Sequence, residues 1–318
     1  MRNFLATART LRARGVLGIN QRNADYTLVY NARSRYPLVD DKALTKTLAH
    51  EHGVATPELY AIVEIDRQIR DLPQVLAVHD EFVVKPARGS QGDGILVITG
   101  RAAGGYRTID GNLVGDEEFA FHVSNILSGI YSLGGMTDKA LIEYRVRFAS
   151  IFDAVTYRGV PDLRIIVFLG VPIMAMVRLP TRRSGGRANL HQGAIGAGID
   201  LATGTTLTAV SGNSVVDTHP DTGARVPGIE IPHWQRMLEI AARSYELTGL
   251  GYQGVDIVLD HDLGPLVLEL NARPGLAIQI ANRAGLRHRL EAVLRDSAKS
   301  GDPDARVAYA RAHFGTQV

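Results

Sequence analysis

Apolar residues recur along this chain in two spacings. Short runs rich in Val, Ile, Leu and Phe lie at residues 82–84, 95–98, 140–146, 164–169, 172–178, 255–260 and 266–271. Runs of that length and composition predict strands. Gly170 predicts a tight turn between the fourth and fifth run, and His261-Asp262-Leu263-Gly264 another between the last two. Residues 104–111 read as a hairpin or an exposed turn. Helical spacing predicts a helix over 43–50, capped by Asp40 or Asp41, with Leu44 and Leu48 on one face and Gly53 ending it. A second helix is expected over 117–127, with Phe119, Val123 and Ile126 inward. A third starts near Pro232 and buries Trp234, Leu238, Ala241 and Tyr245. Pro274-Gly275 breaks the chain before a helix reaching about residue 294, and 66–72 has helical character. Gly193, Gly196 and Gly198 are expected in a loop. Residues 296–318 are polar or mixed and are expected to fray. No internal repeat is visible.

Composition narrows the classes. The 318 residues are 45% hydrophobic and 21% charged, enough to bury a core and unlike a disordered chain. There is no Cys, which removes disulfides, thiolate zinc sites and a cysteine nucleophile. No apolar run approaches the roughly 18 residues that a membrane span needs. Thirty-five basic against 33 acidic side chains leave +2, which argues against a general polyanion binder. The charge is uneven: residues 1–36 hold seven Arg and one Asp, or +6, leaving −4 for the rest. That segment reads as a solvated basic helix on the domain edge. An organellar presequence and a docking surface for a partner or an acidic lipid are the other readings. The cytoplasm is the expected location. Nucleic acid is not an expected partner, since the basic head lacks interleaved aromatics.

Two clusters carry chemistry. Val84-Lys85-Pro86-Ala87-Arg88-Gly89-Ser90-Gln91-Gly92-Asp93-Gly94 places a lysine at a strand end, before a glycine-rich turn whose backbone N–H groups can converge on phosphate. The lysine precedes the glycines, so this is not a P-loop. Asp93 would repel phosphate unless it faces away or holds a metal. The second cluster is Gly254-Val255-Asp256 with Leu268-Glu269-Leu270-Asn271-Ala272-Arg273-Pro274-Gly275. Glu269 and Asn271 are i and i+2 on a strand and share a face, with Leu268 and Leu270 on the other. Asp256 lies on the paired strand. Two carboxylates and an amide oxygen suit Mg²⁺ or Mn²⁺, and Arg273 suits a carboxylate or acyl phosphate. Arg164, Arg178, Arg187 and Asn189 are candidate phosphate and substrate contacts. Arg182 and Arg183 read as solvated loop residues, and His191 as a proton relay or a structural histidine. Lys42 by itself reads as a surface lysine.

Taken together these motifs resemble the ATP-grasp superfamily. They look closest to the glutamate-ligase-like branch, whose best-known members add glutamate to a ribosomal protein. Leu17-Gly18-Ile19-Asn20-Gln21-Arg22-Asn23 and Leu38-Val39-Asp40-Asp41-Lys42 resemble alpha-L-glutamate ligase homologues, which are related to sugar-transfer-associated ATP-grasp proteins. The resemblance spans about residues 38–290. It implies an α/β (α+β) fold in which two subdomains grip a nucleotide between antiparallel sheets, after a reduced N-terminal segment. Residues 1–37 would be the remnant of a preceding domain, 38–146 and 147–295 the two subdomains, and 296–318 a tail. The family's roles fall on Lys42 and Lys85 at the phosphates, and on Gly89, Ser90, Gln91, Gly92 and Gly94 as the mobile loop over the triphosphate. Glu143, Tyr144 and Val146 match the adenine hinge, and Asp162 and Arg164 a segment near the nucleotide. Arg178, Arg187 and Asn189 match positions at phosphate and acyl phosphate. Asp256, Glu269 and Asn271 match metal ligands, and Arg273 and Gly275 the acceptor loop. Three departures stand out: only about 40 residues precede Lys42, residues 147–161 are long, leaving Asp153 and Asp162 to compete for the ribose, and Asp93 follows the flap serine.

The implied activity is an ATP-dependent carboxylate–amine ligase using ATP and Mg²⁺ or Mn²⁺. It would form an amide through an acyl phosphate, adding glutamate or another amino acid to a peptide or protein. Related enzymes are commonly homo-oligomers. An ATP-dependent kinase, or a regulatory module with a retained ATP site, would use the same lysines and acids.

Overall fold

The computed structural model describes residues 9–89, 92–212 and 214–315. The chain divides into two units. The smaller holds Asp40–Glu51 and Thr56–Val146; the larger holds Met1–Val39, His52–Ala55 and Arg147–Val318.

In the smaller unit, helix α1 (Lys42–Glu51) starts where Asp41 accepts from the N–H groups of Ala43 and Leu44 at 3.0 and 3.3 Å, so Asp41 is the cap. Its buried face is not the one that carries Leu44. Leu44 is 37% exposed, and Ala43, Lys46 and Ala49 face inward. Small residues there let the helix lie close to Ala87 and Leu141. Strands β1 (Leu59–Val63), β2 (Phe82–Pro86), β3 (Leu96–Ala102), β4 (Gly105–Thr108), β5 (Leu113–Gly115) and β6 (Ala140–Glu143) form one sheet in the order β1-β6-β2-β3-β4-β5. Every pairing in it is antiparallel. Helix α2 (Asp116–Leu127) carries Asp116, Glu117 and Glu118 in its first turn, where the helix dipole favours acids. It buries Phe119, Val123 and Ile126 against Phe82, Val84, Ile98 and Tyr106. Phe82, Tyr106 and Phe119 form a mutually packed aromatic trio.

In the larger unit, β7 (Asp162–Phe168), β8 (Val171–Leu179), β9 (Ile195–Ile199), β10 (Thr206–Ser211) and β11 (Ser214–Val216) join β12 (Tyr252–Asp260) and β13 (Gly264–Asn271). Together they form an antiparallel sheet ordered β11-β10-β9-β8-β7-β12-β13. The β7–β8 connection is a two-residue turn, Leu169-Gly170, with φ of 49° and 80°. Positive φ at both positions matches the twist of the flanking strands. All nine residues of β12 are buried. Helix α3 (Trp234–Thr248) packs on β7, β8 and β12 with Trp234, Leu238 and Ala241 buried as expected, while Tyr245 is half-buried. The segment after Pro274 is two short helices, α4 (Ile278–Ala281) and α5 (Arg287–Arg295), rather than one.

Two expectations fail here. Gly196 and Gly198 belong to β9, not to a loop. A Cβ on Gly198 would meet the Ala281 carbonyl at 2.6 Å, so this glycine lets α4 lie against the strand, and one on Gly196 would meet the Leu190 side chain at 2.9 Å. The described part of the C-terminal segment, 296–315, is not frayed either: α6 (Pro303–Phe314) is capped by Asp302, buries Val307, Ala310 and Phe314, and packs on β8 and α3. The basic head is only partly solvated. Arg9, Arg12 and Arg14 lie in its exposed part, but Arg22 is buried and donates to the Pro274 carbonyl at 2.5 Å. Asn31 bonds the Tyr252 and Ala272 carbonyls, and Tyr26 packs edge-on against Phe168. Among the described residues no helix is long and apolar enough to cross a membrane.

Candidate functional site

Lys85 sits on β2, the central partner of β6 and β3, and its register with Leu141 fixes where the ammonium emerges. It is 4% exposed. Its Nζ lies 2.5 Å from Glu143 Oε1 on β6, and Lys46 Nζ from α1 lies 2.8 Å from Oε2 of the same carboxylate. Lys46 also donates to the Pro57 carbonyl at 2.5 Å. One buried carboxylate thus serves two buried ammoniums. Burial works against the Glu143 charge, but Lys85 and Lys46 outweigh it and hold its carboxyl below the usual carboxylate value. For Lys46 burial wins over Glu143, and its ammonium is pushed down to about 8.

The adenine-hinge expectation for Glu143, Tyr144 and Val146 concerns mainly their backbone groups. The Glu143 side chain is committed to the two lysines, and the Tyr144 N–H donates to the Glu58 carbonyl at 2.8 Å. Val146 closes the smaller unit. Lys42 is half-buried, and its Nζ donates to the Gly89 carbonyl at 2.8 Å. The base of the flap is tied down further by a side chain that the sequence did not single out. Asp138 accepts from the N–H groups of Arg88 and Lys139 at 3.0 and 2.8 Å, and from the Ser132 hydroxyl at 2.5 Å. Gly92 and Gly94 have φ of 81° and 74°. A Cβ on Gly94 would strike the Tyr131 ring at 2.5 Å, so only glycine brings the flap's end so close. Ser90 and Gln91, expected on the same loop, lie outside the described residues.

In the larger unit, four neighbouring strands bring the charged residues together. Arg178 on β8 pairs in register with Asp162 on β7, Arg164 on β7 with Asp256 on β12, and Asp256 with Glu269 on β13. Arg164 forks onto Asp256 through Nε and Nη2 at 2.7 and 2.6 Å. Arg178 forks onto Asp162 and adds a third bond from Nη2 to Asp256 at 2.7 Å. Both arginine side chains are 12% exposed and that of Asp256 only 1%. Burial opposes the Asp256 charge, yet Arg164 and Arg178 hold its carboxyl well below the usual range. Burial pushes Asp162 up to about 7, against Arg178 and with help from the Asp256 charge. Arg178 is raised: burial lowers it, and the charges of Asp162 and Asp256 more than offset that.

The β12–β13 ladder carries a bulge. Ile257 pairs with Val267, but Asp256 pairs with Glu269, leaving Leu268 unpaired. In an unbroken ladder Asp256 would face Leu268, and Glu269 would point to the other side of the sheet. The bulge therefore creates the acidic pair. Asn271 Nδ2 donates to Asp256 Oδ2 at 3.3 Å and to Glu269 Oε1 at 3.1 Å. Its amide hydrogens present positive charge to the two carboxylates. Turned over, the same amide would offer oxygen beside them, which is the donor set that suits Mg²⁺. The three residues fit such an ion, although Asp256 would share its oxygens with two arginines. Among the described residues no three His, Asp or Glu side chains come together as a metal-holding group, and this site has two carboxylates with an amide.

Arg187 is exposed in the loop after β8, its N–H donating to the Ser184 carbonyl. Asn189 caps the turn Leu190–Gln192, accepting from the His191 N–H at 2.9 Å. The Arg273 guanidinium lies 5.2 Å from the centre of the Tyr36 ring. Gly275 has open space where a Cβ would be. Of the two ribose candidates, Asp153 is exposed and Asp162 is held by Arg178.

The model of one family, sugar-transfer associated ATP-grasp, matches residues 21–295. The chain belongs to that family. Its α/β architecture of two antiparallel sheets is the ATP-grasp fold. No curated protein matches the sequence. Similar solved structures include the ATP-grasp ligase PsnB complexed with minimal precursor, at 16% identity and a TM-score of 0.44, covering 86% of this chain and 63% of that one. D-cycloserine synthetase DcsG gives 18% and 0.47, with 82% and 71% covered. D-alanine–D-alanine ligase from Bacillus anthracis gives 14% and 0.45, with 84% and 71% covered. The chain thus spans under two thirds of PsnB, and likenesses of this size say nothing of what a sugar-transfer associated ATP-grasp protein such as this one binds.

Proposed function

We propose that this ATP-grasp protein is an ATP-dependent ligase joining a carboxylate to an amine. The observation that carries the reading is the convergence of Asp256, Glu269 and Asn271 beside two paired guanidiniums. A carboxylate is a poor electrophile at neutral pH. Phosphorylation by ATP turns it into an acyl phosphate, and an amine then displaces phosphate to give the amide. Chemistry of this kind depends on positioning and charge neutralisation more than on covalent help from the protein. Asp256, Glu269 and Asn271 would hold Mg²⁺, which supplies charge neutralisation at the phosphates. Lys85 and Lys42, with the flap glycines Gly89, Gly92 and Gly94, bind the polyphosphate. Arg178 spends three N–H bonds on Asp162 and Asp256, and the two N–H groups of its Nη1 are left for the transferred phosphoryl group. Arg187, Asn189 and Arg273 serve the acid and the acceptor, and the backbone of Glu143–Val146 serves the base.

Glutamate is the first candidate amino acid, on the resemblance to glutamate ligases, and the arginines at 182, 183 and 187 suit an acidic substrate. The test is mass spectrometry of the purified protein with ATP, Mg²⁺ and pooled amino acids, with and without cell extract. A mass gain of one amino-acid residue, matched by ADP release, is expected. ADP formed from acid alone, with a stable phosphorylated product, would replace the ligase by a kinase.

A further inference from the structure

Lys85, Lys46 and Glu143 together carry one positive charge more than they can pair. Three observations make that surplus consequential. All three side chains are nearly buried, Lys46 at 7%, Lys85 at 5% and Glu143 at 3% exposure. They come from three different elements, α1, β2 and β6, so no local turn forces them together. Finally, the groups acting on Lys46 are few. Glu143 reaches it from β6, the Lys85 ammonium from β2 repels it, and the Pro57 carbonyl before β1 accepts its bond. Lys42, one turn earlier on the same helix, is directed to the Gly89 carbonyl. A buried unmatched ammonium is costly unless an anion arrives to match it.

We propose that Lys46 is a positioning residue of the nucleotide site: it shares Glu143 with Lys85, so that Lys85 keeps net positive charge for a polyphosphate. This rests on the nucleotide reading above and assigns a residue to it. With Lys46 charged, one carboxylate is divided between two ammoniums and the trio is +1. With Lys46 neutral, Glu143 belongs to Lys85 alone and the trio is 0. A nucleotide bound by Lys85 therefore binds better when Lys46 is protonated. Because the Lys46 ammonium loses its proton near pH 8, affinity must fall as pH rises through that region.

The experiment is calorimetric titration of ADP with Mg²⁺ into the full chain between about pH 7 and pH 9. Wild-type affinity is expected to weaken about five- to tenfold over that range, since one displaced proton is worth up to about tenfold per pH unit. Lys46→Met is expected to bind about tenfold more weakly at pH 7 and to show no slope. The double variant Lys46→Met/Glu143→Gln removes one charge of each sign, restores +1 on Lys85, and is expected to recover most of the lost affinity without regaining the slope. A purely structural role for Lys46 would not predict that recovery. A flat wild-type profile overturns the inference, and that result needs no variant to fold. So does a double variant no better than the single one, with melting curves showing both folded. ADP binding that ignores Lys46 leaves the nucleotide reading intact. No ADP binding by the wild type removes both.

Discussion

Asp256→Asn tests how much of the larger unit rests on one carboxylate. The substitution keeps size and removes charge. In the native structure Asp256 accepts two bonds from Arg164 and one from Arg178, all at 2.6–2.7 Å, at 1% exposure. An amide at that position offers a single oxygen and turns an NH₂ group toward one of the guanidiniums. At least one charge-assisted bond, worth about 1.5–3 kcal/mol, is then lost and a donor–donor clash is added. Arg164 then loses the carboxylate it forks onto, while Arg178 keeps Asp162. Removing one partner of a buried ion pair costs about 3–5 kcal/mol, and that is the expected loss. Glu269→Gln is the comparison: Glu269 is half-buried and keeps its bond from Asn271, so a smaller loss than that of Asp256→Asn is expected. The chain supplies its own assay. Trp234 is the single tryptophan, is 6% exposed, and donates from its indole to the Leu201 carbonyl at 3.0 Å within the larger unit. Its fluorescence during urea unfolding follows that unit and no other. An Asp256→Asn transition within about 1 kcal/mol of wild type, or a Glu269→Gln loss as large as that of Asp256→Asn, would refute the argument.

Three further outcomes are expected. Lys85→Met should remain folded, since Lys46 still pairs with Glu143, yet lose about 2.7–4 kcal/mol of transition-state stabilisation; wild-type ADP release with the true substrates would contradict its role. Gly170→Ala should destabilise the larger unit by about 1–3 kcal/mol, because φ is 80° there and a Cβ would sit 2.6 Å from the buried Arg306 guanidinium, with an unchanged Trp234 transition as the refuting result. Glu143 has its carboxyl held below the ordinary 4.5, so its ion pairs contribute stability above that pH and lose it as pH falls through the lowered value. Hydrogen exchange in Phe82–Pro86 and Ala140–Glu143, corrected for intrinsic rates, should lose protection over that acid window, and Glu143→Gln should abolish the dependence.

Strands were legible where apolar runs met turn residues, as at Gly170 and at His261–Gly264. Such signals are local and act within a few residues. The glycines at 196 and 198 misled because glycine marks both a turn and a close approach, and only the positions of Leu190 and α4 distinguish the two. The C-terminal helix α6 was hidden because its buried residues are few: Arg306, Val307, Ala310 and Phe314. In the candidate site, Asp256, Glu269 and Asn271 were readable from residue type and spacing, and Lys85 from the glycines after it. Lys46 was not singled out, although it stands one turn after Lys42 on the face that carries Ala43 and Ala49. A lysine turned inward by its neighbours' small size has no signature until the carboxylate it meets is known. The pairing of Arg164 and Arg178 with acids, rather than with open space, depends on which strands are neighbours.

The unpaired residue at Leu268 bears on how relatives should be compared. Counted from the turn at 261–264, the acids of the two strands are out of step by one; counted back from Asn271, they face each other. A relative whose hairpin lacks the extra residue would still juxtapose its acids if it lost that one position. The gap in any comparison therefore belongs beside Glu269, and a gap placed in the turn would match an acid to a leucine and hide a shared site.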